Sequence, residues 1–265
     1  MKAQLQPTYY NHVTLQSEEV QSYHDNGYLI TKNLVPSGDI HEIRRDAINI
    51  FTRQLTRCGY HPESYEAFER DLYTFFMKDQ EAFINCGKHM QHTISLHKLS
   101  LCPQILEVLK KIGLSSITIC TRPVLFANSK HLATKDIYHT IPAHQDMYSM
   151  KGSANSVVVW LPLVNATKNL GALQIVPKSH KMGLITSSVV DGFGMVDLYE
   201  DKHFISLELD VGDAVFFSSF LVHRSGINST DSIRWSANFR YNDVDDADFI
   251  NRKFPHPYIY KPMDK

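Results

Sequence analysis

Apolar residues in the first hundred positions recur every three or four places, and this period predicts helices. From Ser37, residues Ile40, Ile43, Ala47, Ile48 and Phe51 share one side, while Arg44, Arg45 and Asp46 lie off it. Thr14, Ser17, Glu18 and Glu19 carry helix-start chemistry, and Asn26-Gly27 is a stop signal, so a first helix is expected between them. A short strand at Tyr28-Leu29-Ile30 follows, ahead of Pro36. Helices are also expected from about Ser64 to Met77 and from Glu81 to Leu96. Cys102-Pro103 opens another, with Ile105, Leu106, Val108, Leu109 and Ile112 on its apolar face until Gly113.

At Ser115 the period shortens. Ile117 to Cys120 and Val124 to Phe126 favour strands, then a polar, mildly basic loop fills 128–140. Ser156 to Leu163 is a near-continuous apolar run, as expected for a strand covered on both faces. Further strands are expected at 171–176, 204–209 and 214–217. In the strand 234–241, Trp235, Ala237, Phe239 and Tyr241 take one face, and Arg234, Ser236, Asn238 and Arg240 the other. Many short strands joined by turns indicate a barrel or sandwich. Without a linker or repeat, one domain is expected over 1–265: 15–113 mainly helical, 115–245 the β core, and 246–265 a tail.

Composition changes this picture little but excludes several functions. The formal net charge of -1 gives no global electrostatic reason to expect nucleic acid or an anionic membrane as partner. No apolar run is long enough to cross a bilayer, and Met1 to Gln6 lead into polar and aromatic residues without a secretory core. Cys58, Cys86, Cys102 and Cys120 are scattered and read as reduced thiols of an intracellular protein, and a cytoplasmic location is expected.

Chemistry concentrates in the second half. His144-Gln145-Asp146 on a strand would present two metal ligands on one side, since alternate strand residues point the same way. His223, at a strand end, would complete a two-histidine, one-carboxylate face with open positions opposite. Ser225 lies on the same side of an extended segment as His223, and a turn at 226–231 returns the chain to Arg234. A buried arginine needs an anion, and the facing strands offer no obvious acid, so a ligand carboxylate suits it. Taken singly, each residue has a plainer reading: a solvated His–Asp pair, a core histidine, a surface arginine. There is no dinucleotide loop at Gly192-Phe193-Gly194, no nucleophile elbow, and no His-Glu-x-x-His helix.

Together, His144-Gln145-Asp146, His223, Ser225 and Arg234 resemble the phytanoyl-CoA dioxygenase family of iron- and 2-oxoglutarate-dependent oxygenases. Val159-Trp160-Leu161-Pro162-Leu163, Asn165-Ala166-Thr167, Gly171-Ala172-Leu173 and Gly212-Asp213 strengthen the resemblance. Val176 to Lys181 is similar to the family's Pro-Gly-Ser-His stretch, with Lys178 in place of glycine. The resemblance implies a double-stranded β-helix (jelly-roll, cupin-like) core with N-terminal helices packed against it. It implies His144, Asp146 and His223 as Fe(II) ligands, and Arg234 and Ser225 gripping the distal carboxylate of 2-oxoglutarate. Trp160 would wall the co-substrate pocket, and His180 would be structural.

The implied activity is an O2-dependent hydroxylation of a small organic metabolite, with release of succinate and CO2. Related halogenases lack the carboxylate ligand, so Asp146 favours hydroxylation, desaturation or cyclisation. Tyr148 is a candidate substrate contact, Arg240 a second inward arginine or an ion-pair partner. The loop cations Lys130, His131, Lys135 and His139 are candidates for a lid that attracts an anionic substrate. The competing readings are a cupin-like metalloenzyme of isomerase type that does without 2-oxoglutarate, and a binding protein with a vestigial site.

Overall fold

The computed structural model describes residues 15–132, 140–185, 188–190 and 193–255. Helix α1 (Ser17–Asn26) starts at Gln16, whose backbone N–H donates to Glu19 Oε2 at 2.6 Å. It stops at Gly27, where φ is 83° and a Cβ would enter the His180 ring. After β1 (Tyr28–Thr31), α2 (Ser37–Arg57) buries Ile40, Ile43, Ala47 and Phe51 of the expected stripe and adds Leu55, while Ile48 is half-buried. The helical half continues through α3 (Tyr65–Lys78), α4 (Gln80–Met90), α5 (Ile94–Ser100) and α6 (Pro103–Lys111). The single helix expected over 81–96 is two. The N–H groups of Gln91 and His92 bond only three residues back, tightening the last turn of α4, and the Thr93 hydroxyl donates to the Met90 carbonyl.

The remaining elements are β2 (Ile117–Ile119), β3 (Val124–Asn128), α7 (Met147–Met150), β4 (Val157–Pro162) and β5 (Leu173–Ile175). They are followed by β6 (Ser188–Val190), β7 (Phe193–Met195), β8 (Ile205–Leu207), β9 (Ala214–Ser218), β10 (His223–Ser225), β11 (Arg234–Asp243) and α8 (Ala247–Asn251). The larger sheet runs β1-β9-β4-β11-β2, with β3 also paired to β11; a smaller sheet runs β10-β5-β8. All of these pairings are antiparallel. The hairpin β6-β7, which the sequence pattern did not predict, stands as a two-stranded ribbon.

The larger sheet separates two apolar layers. On one side Trp235, Ala237, Phe239 and Tyr241 join Val157, Val159, Leu161 and the helices in a single core. On the other, Val158, Trp160, Val215 and Phe217 pack against Leu173, Ile175 and Leu207 of the smaller sheet. Strand β4 is therefore buried on both faces, as its unbroken apolar run predicts. Two antiparallel sheets face to face, with helices behind one of them, make the jelly-roll. Between the sheets lies the polar face of β11, so Arg234, Ser236, Asn238 and Arg240 point into the barrel rather than into water. Among the described residues no helix is long and apolar enough to cross a membrane. None of the four cysteines is in a disulfide; two are buried and two half-buried.

Candidate active site

His144 and His223 meet through the backbone. Each N–H donates to the other's carbonyl, at 3.0 and 3.1 Å, which sets the two rings with centroids 4.2 Å apart. The chain does not remain extended through the motif, as the strand reading of His144-Gln145-Asp146 required. Asp146 has φ -62° and ψ -28° and stands at the start of α7. The carboxylate reaches the histidines because the chain turns into a helix there, not by strand alternation. Gln145, between the two, faces away: its amide donates to the Gly183 and Phe220 carbonyls, and its Oε1 accepts from the Ile185 N–H. This clamp fixes the motif against two neighbouring loops. Nothing in the sequence marks it except the rule that a residue between two convergent ligands points elsewhere.

His144, Asp146 and His223 are buried, and one ligand atom from each lies within 4.8 Å of the others. The histidine tautomers follow from their partners. His144 Nδ1 is 2.8 Å from the Pro142 carbonyl and His223 Nδ1 is 2.9 Å from that of Leu221. A carbonyl only accepts, so each Nδ1 donates and each neutral ring keeps its lone pair on Nε2. Burial pushes both imidazoles below their ordinary pKa, His223 to about 3 with His144 adding to the effect. Burial alone would raise the Asp146 carboxyl, but the Arg240 guanidinium, with His223 and His144, outweighs it and holds the group at about 2. Arg240 Nη2 donates to Asp146 Oδ1 at 3.1 Å, which realises the ion-pair alternative for this arginine.

Asp146 Oδ2 is buried, has no hydrogen-bond partner, and stands 3.9 Å from His223 Nε2. An orphaned buried carboxylate oxygen beside two imidazole lone pairs is costly unless a cation fills the space. Two imidazoles and one carboxylate form a donor set suited to Fe(II), so the residues fit the metal that the resemblance implies.

Arg234 is 1% exposed, and its Nε and Nη1 have no partner. Burial lowers its pKa to about 10. Its guanidinium carbon lies 5.4 Å from the Trp160 ring centroid, so the tryptophan does line the space around it. Ser225 is buried on β10, on the same side as His223. The intervening turn is held by Asn228, whose amide donates to the Asn128 carbonyl at 3.0 Å and the Ser232 carbonyl at 2.8 Å.

Other candidates fare differently. Tyr148 is half-buried on α7 with its ring against Gly194, where an added Cβ would lie 2.6 Å from it. Lys130 and His131 both reach Asp231, at 2.9 Å, so these loop cations are engaged with the β10–β11 turn. Lys135 and His139 lie outside the described residues. His180 Nε2 bonds the His24 carbonyl at 3.0 Å and packs on Gly27, a structural tie between its turn and α1.

The peroxisomal phytanoyl-CoA dioxygenase of Homo sapiens is 26% identical over 252 residues, covering 91% of this chain and 72% of its own. Among solved structures, the epimerase SnoN in complex with Fe3+, alpha ketoglutarate and nogalamycin RO superposes with a TM-score of 0.56 at 16% identity, covering 85% of this chain and 82% of that one. The apo form of the non-heme monooxygenase ThoJ gives 0.61 at 14% identity, over 84% and 76%. These structures share the fold. The family profile described as Phytanoyl-CoA dioxygenase (PhyH) matches residues 23–236, and the chain therefore belongs to the phytanoyl-CoA dioxygenase family of oxygenases.

Proposed function

We propose that the protein is an Fe(II)- and 2-oxoglutarate-dependent dioxygenase that hydroxylates a small organic molecule. The balance is R–H, O2 and 2-oxoglutarate going to R–OH, succinate and CO2. One observation carries the reading: the buried cluster His144, Asp146 and His223, with its orphaned carboxylate oxygen, shares a barrel with a buried arginine that pairs with no acid among the described residues. Bound Fe(II) would supply the redox chemistry that couples decarboxylation of the 2-oxo acid to oxidation of the substrate.

The chain's own residues account for the rest. Asp146 and Arg240 cancel in charge and the histidines are neutral, so a divalent cation leaves the centre with two positive charges. Arg234 adds a third, and a dicarboxylate is the natural complement. Arg234, with Ser225, takes the distal carboxylate, and Trp160 excludes water from that end. A vestigial site is disfavoured because no ligand is missing, and a cupin-like isomerase leaves Arg234 without a role.

The test is anaerobic. Fe(II) and 2-oxoglutarate added to the protein should give a visible charge-transfer band, and air should then release succinate. Absence of both would overturn the proposal.

A further inference from the structure

The apolar core behind the larger sheet is not filled. Between α2, α3, α4 and the strands β3 and β11 lies a cavity of about 220 Å³, walled by Phe51, Leu72, Phe83, Leu125 and Trp235. Packed interiors hold few voids larger than a water molecule, and an apolar void of this size forfeits contacts on every side. An apolar cavity of roughly 150 Å³ stays dry and takes up benzene. The polar groups in the lining are already engaged. Trp235 Nε1 donates to Tyr65 Oη at 3.0 Å, Gln91 Nε2 donates to the Gly87 carbonyl at 3.3 Å, and Gln91 Oε1 accepts from Arg122 Nε at 3.2 Å. Lys88 is exposed, so its ammonium stays in water.

The inner wall is aromatic. Phe51 packs on Phe83 with ring centroids 5.3 Å apart and edge-on to Trp235 at 6.3 Å. A further ring can meet such a cluster by the same edge and face contacts. Gly87 and Gln91 of α4 and Ala127 of β3 are half-buried, so the mouth lies between this helix and this strand, with a small residue on each side. Gly87 sits inside α4, where glycine weakens a helix relative to alanine, yet an added Cβ there would meet nothing within 4 Å. Helix stability and core packing are thus given up at the same place.

We propose that this cavity is a binding site for a small uncharged aromatic molecule, up to the size of indole, that enters between Gly87 and Ala127. A charged ligand would be buried there without a partner. The site is separate from the metal centre. In the β3–β11 register Trp235 pairs with Ala127, one residue on from the pair Arg234 and Asn128, and successive strand residues point to opposite faces. The cavity and the barrel interior therefore lie on opposite sides of the sheet, and the site stands whether or not the barrel takes 2-oxoglutarate.

Calorimetric titration of the full chain, loaded with Fe(II) under anaerobic conditions, with indole tests this. The wild type should bind indole with a Kd below about 1 mM, and saturating 2-oxoglutarate should leave that affinity unchanged. Gly87→Leu, which projects a side chain into the mouth, should weaken indole at least about tenfold and melt at or above the wild type. Ala127→Met fills the mouth from the strand side and should weaken indole by roughly the same factor, so the outcome does not hang on one variant. No uptake of indole by the wild type would overturn the proposal, and so would its displacement by 2-oxoglutarate, which would put the ring in the barrel. Wild-type indole affinity in both variants places the ligand elsewhere, and a lowered melting temperature in both shows that the mouth has no room; either result overturns it too.

Discussion

Replacing Arg240 by Met should make the metal-free protein fragile and the metal-bound protein nearly normal. Arg240 and Asp146 form a pair 3.1 Å apart, with side chains 11% and 5% exposed. Breaking a buried pair by deleting one partner costs about 3–5 kcal/mol, because the other charge stays buried without compensation. Asp146 can escape by taking up a proton, which puts the loss near the low end, about 3 kcal/mol. At about 2–4 °C per kcal/mol for a chain of this size, the melting temperature should fall by roughly 6–12 °C. A divalent cation would return positive charge to the same carboxylate and would no longer face the guanidinium. Fe(II) under anaerobic conditions, or Mn(II), should therefore raise the melting temperature of Arg240→Met more than that of the wild type. The pH response has a definite sign. In the wild type the folded Asp146 carboxyl is held at about 2, below its unfolded value, so its stabilisation is complete above about pH 4 and lost as pH falls towards 2. Without Arg240, burial dominates and lifts the folded carboxyl, so the sign of the Asp146 contribution reverses: protonation as pH falls relieves the destabilisation. Differential scanning fluorimetry with and without metal reads both effects. A metal-free variant melting within about 2 °C of wild type, or an equal metal-induced rise in both proteins, would refute the reasoning.

Three further outcomes are expected. Arg234→Met should weaken 2-oxoglutarate by at least about thirtyfold, the low end for deleting one partner of a buried charge pair, while Fe(II) affinity changes less than twofold. Equal losses in an anaerobic titration would make Arg234 structural. In the metal-free protein, the lowered His144 and His223 pKa values mean stability is full above about pH 6.5 and declines as pH falls towards the folded values. The slope is at most about 1.4 kcal/mol per pH unit per histidine, so urea midpoints at pH 7, 6 and 5 should fall in order, and a flat series would show that the imidazoles are not buried neutral. Gln145→Leu should cost about 2 kcal/mol and weaken Fe(II) at least about tenfold, since it frees both loops that hold the metal motif. Unchanged metal affinity in that variant would confine Gln145 to stability.

Much of the fold is legible because burial writes itself into local periods. The α2 stripe, the two-faced apolar run of β4 and the alternation of β11 each appear in the structure as the pattern predicts. Gly27 stops α1 where the sequence marks it, because a left-handed residue there costs glycine nothing. The break between α4 and α5 is less visible: it depends on which carbonyls the N–H groups of Gln91 and His92 select, and helix propensity barely distinguishes the choices.

The site divides along the same line. Residue types and order supplied His144, Asp146, His223, Ser225 and Arg234, since ligand chemistry and a known motif depend on identity. That Asp146 reaches the histidines from the start of a helix, that Arg240 neutralises it, that Gln145 clamps the motif from behind, and that Asn128 stands beside Arg234 depend on contacts between residues 38 to 106 positions apart. Such contacts arise from strand register and loop packing, which no local period encodes. The sequence alone determined the layers and the kind of chemistry. Only the tertiary structure decided which polar groups are satisfied and which are left waiting for a ligand, because satisfaction is a property of neighbours in space.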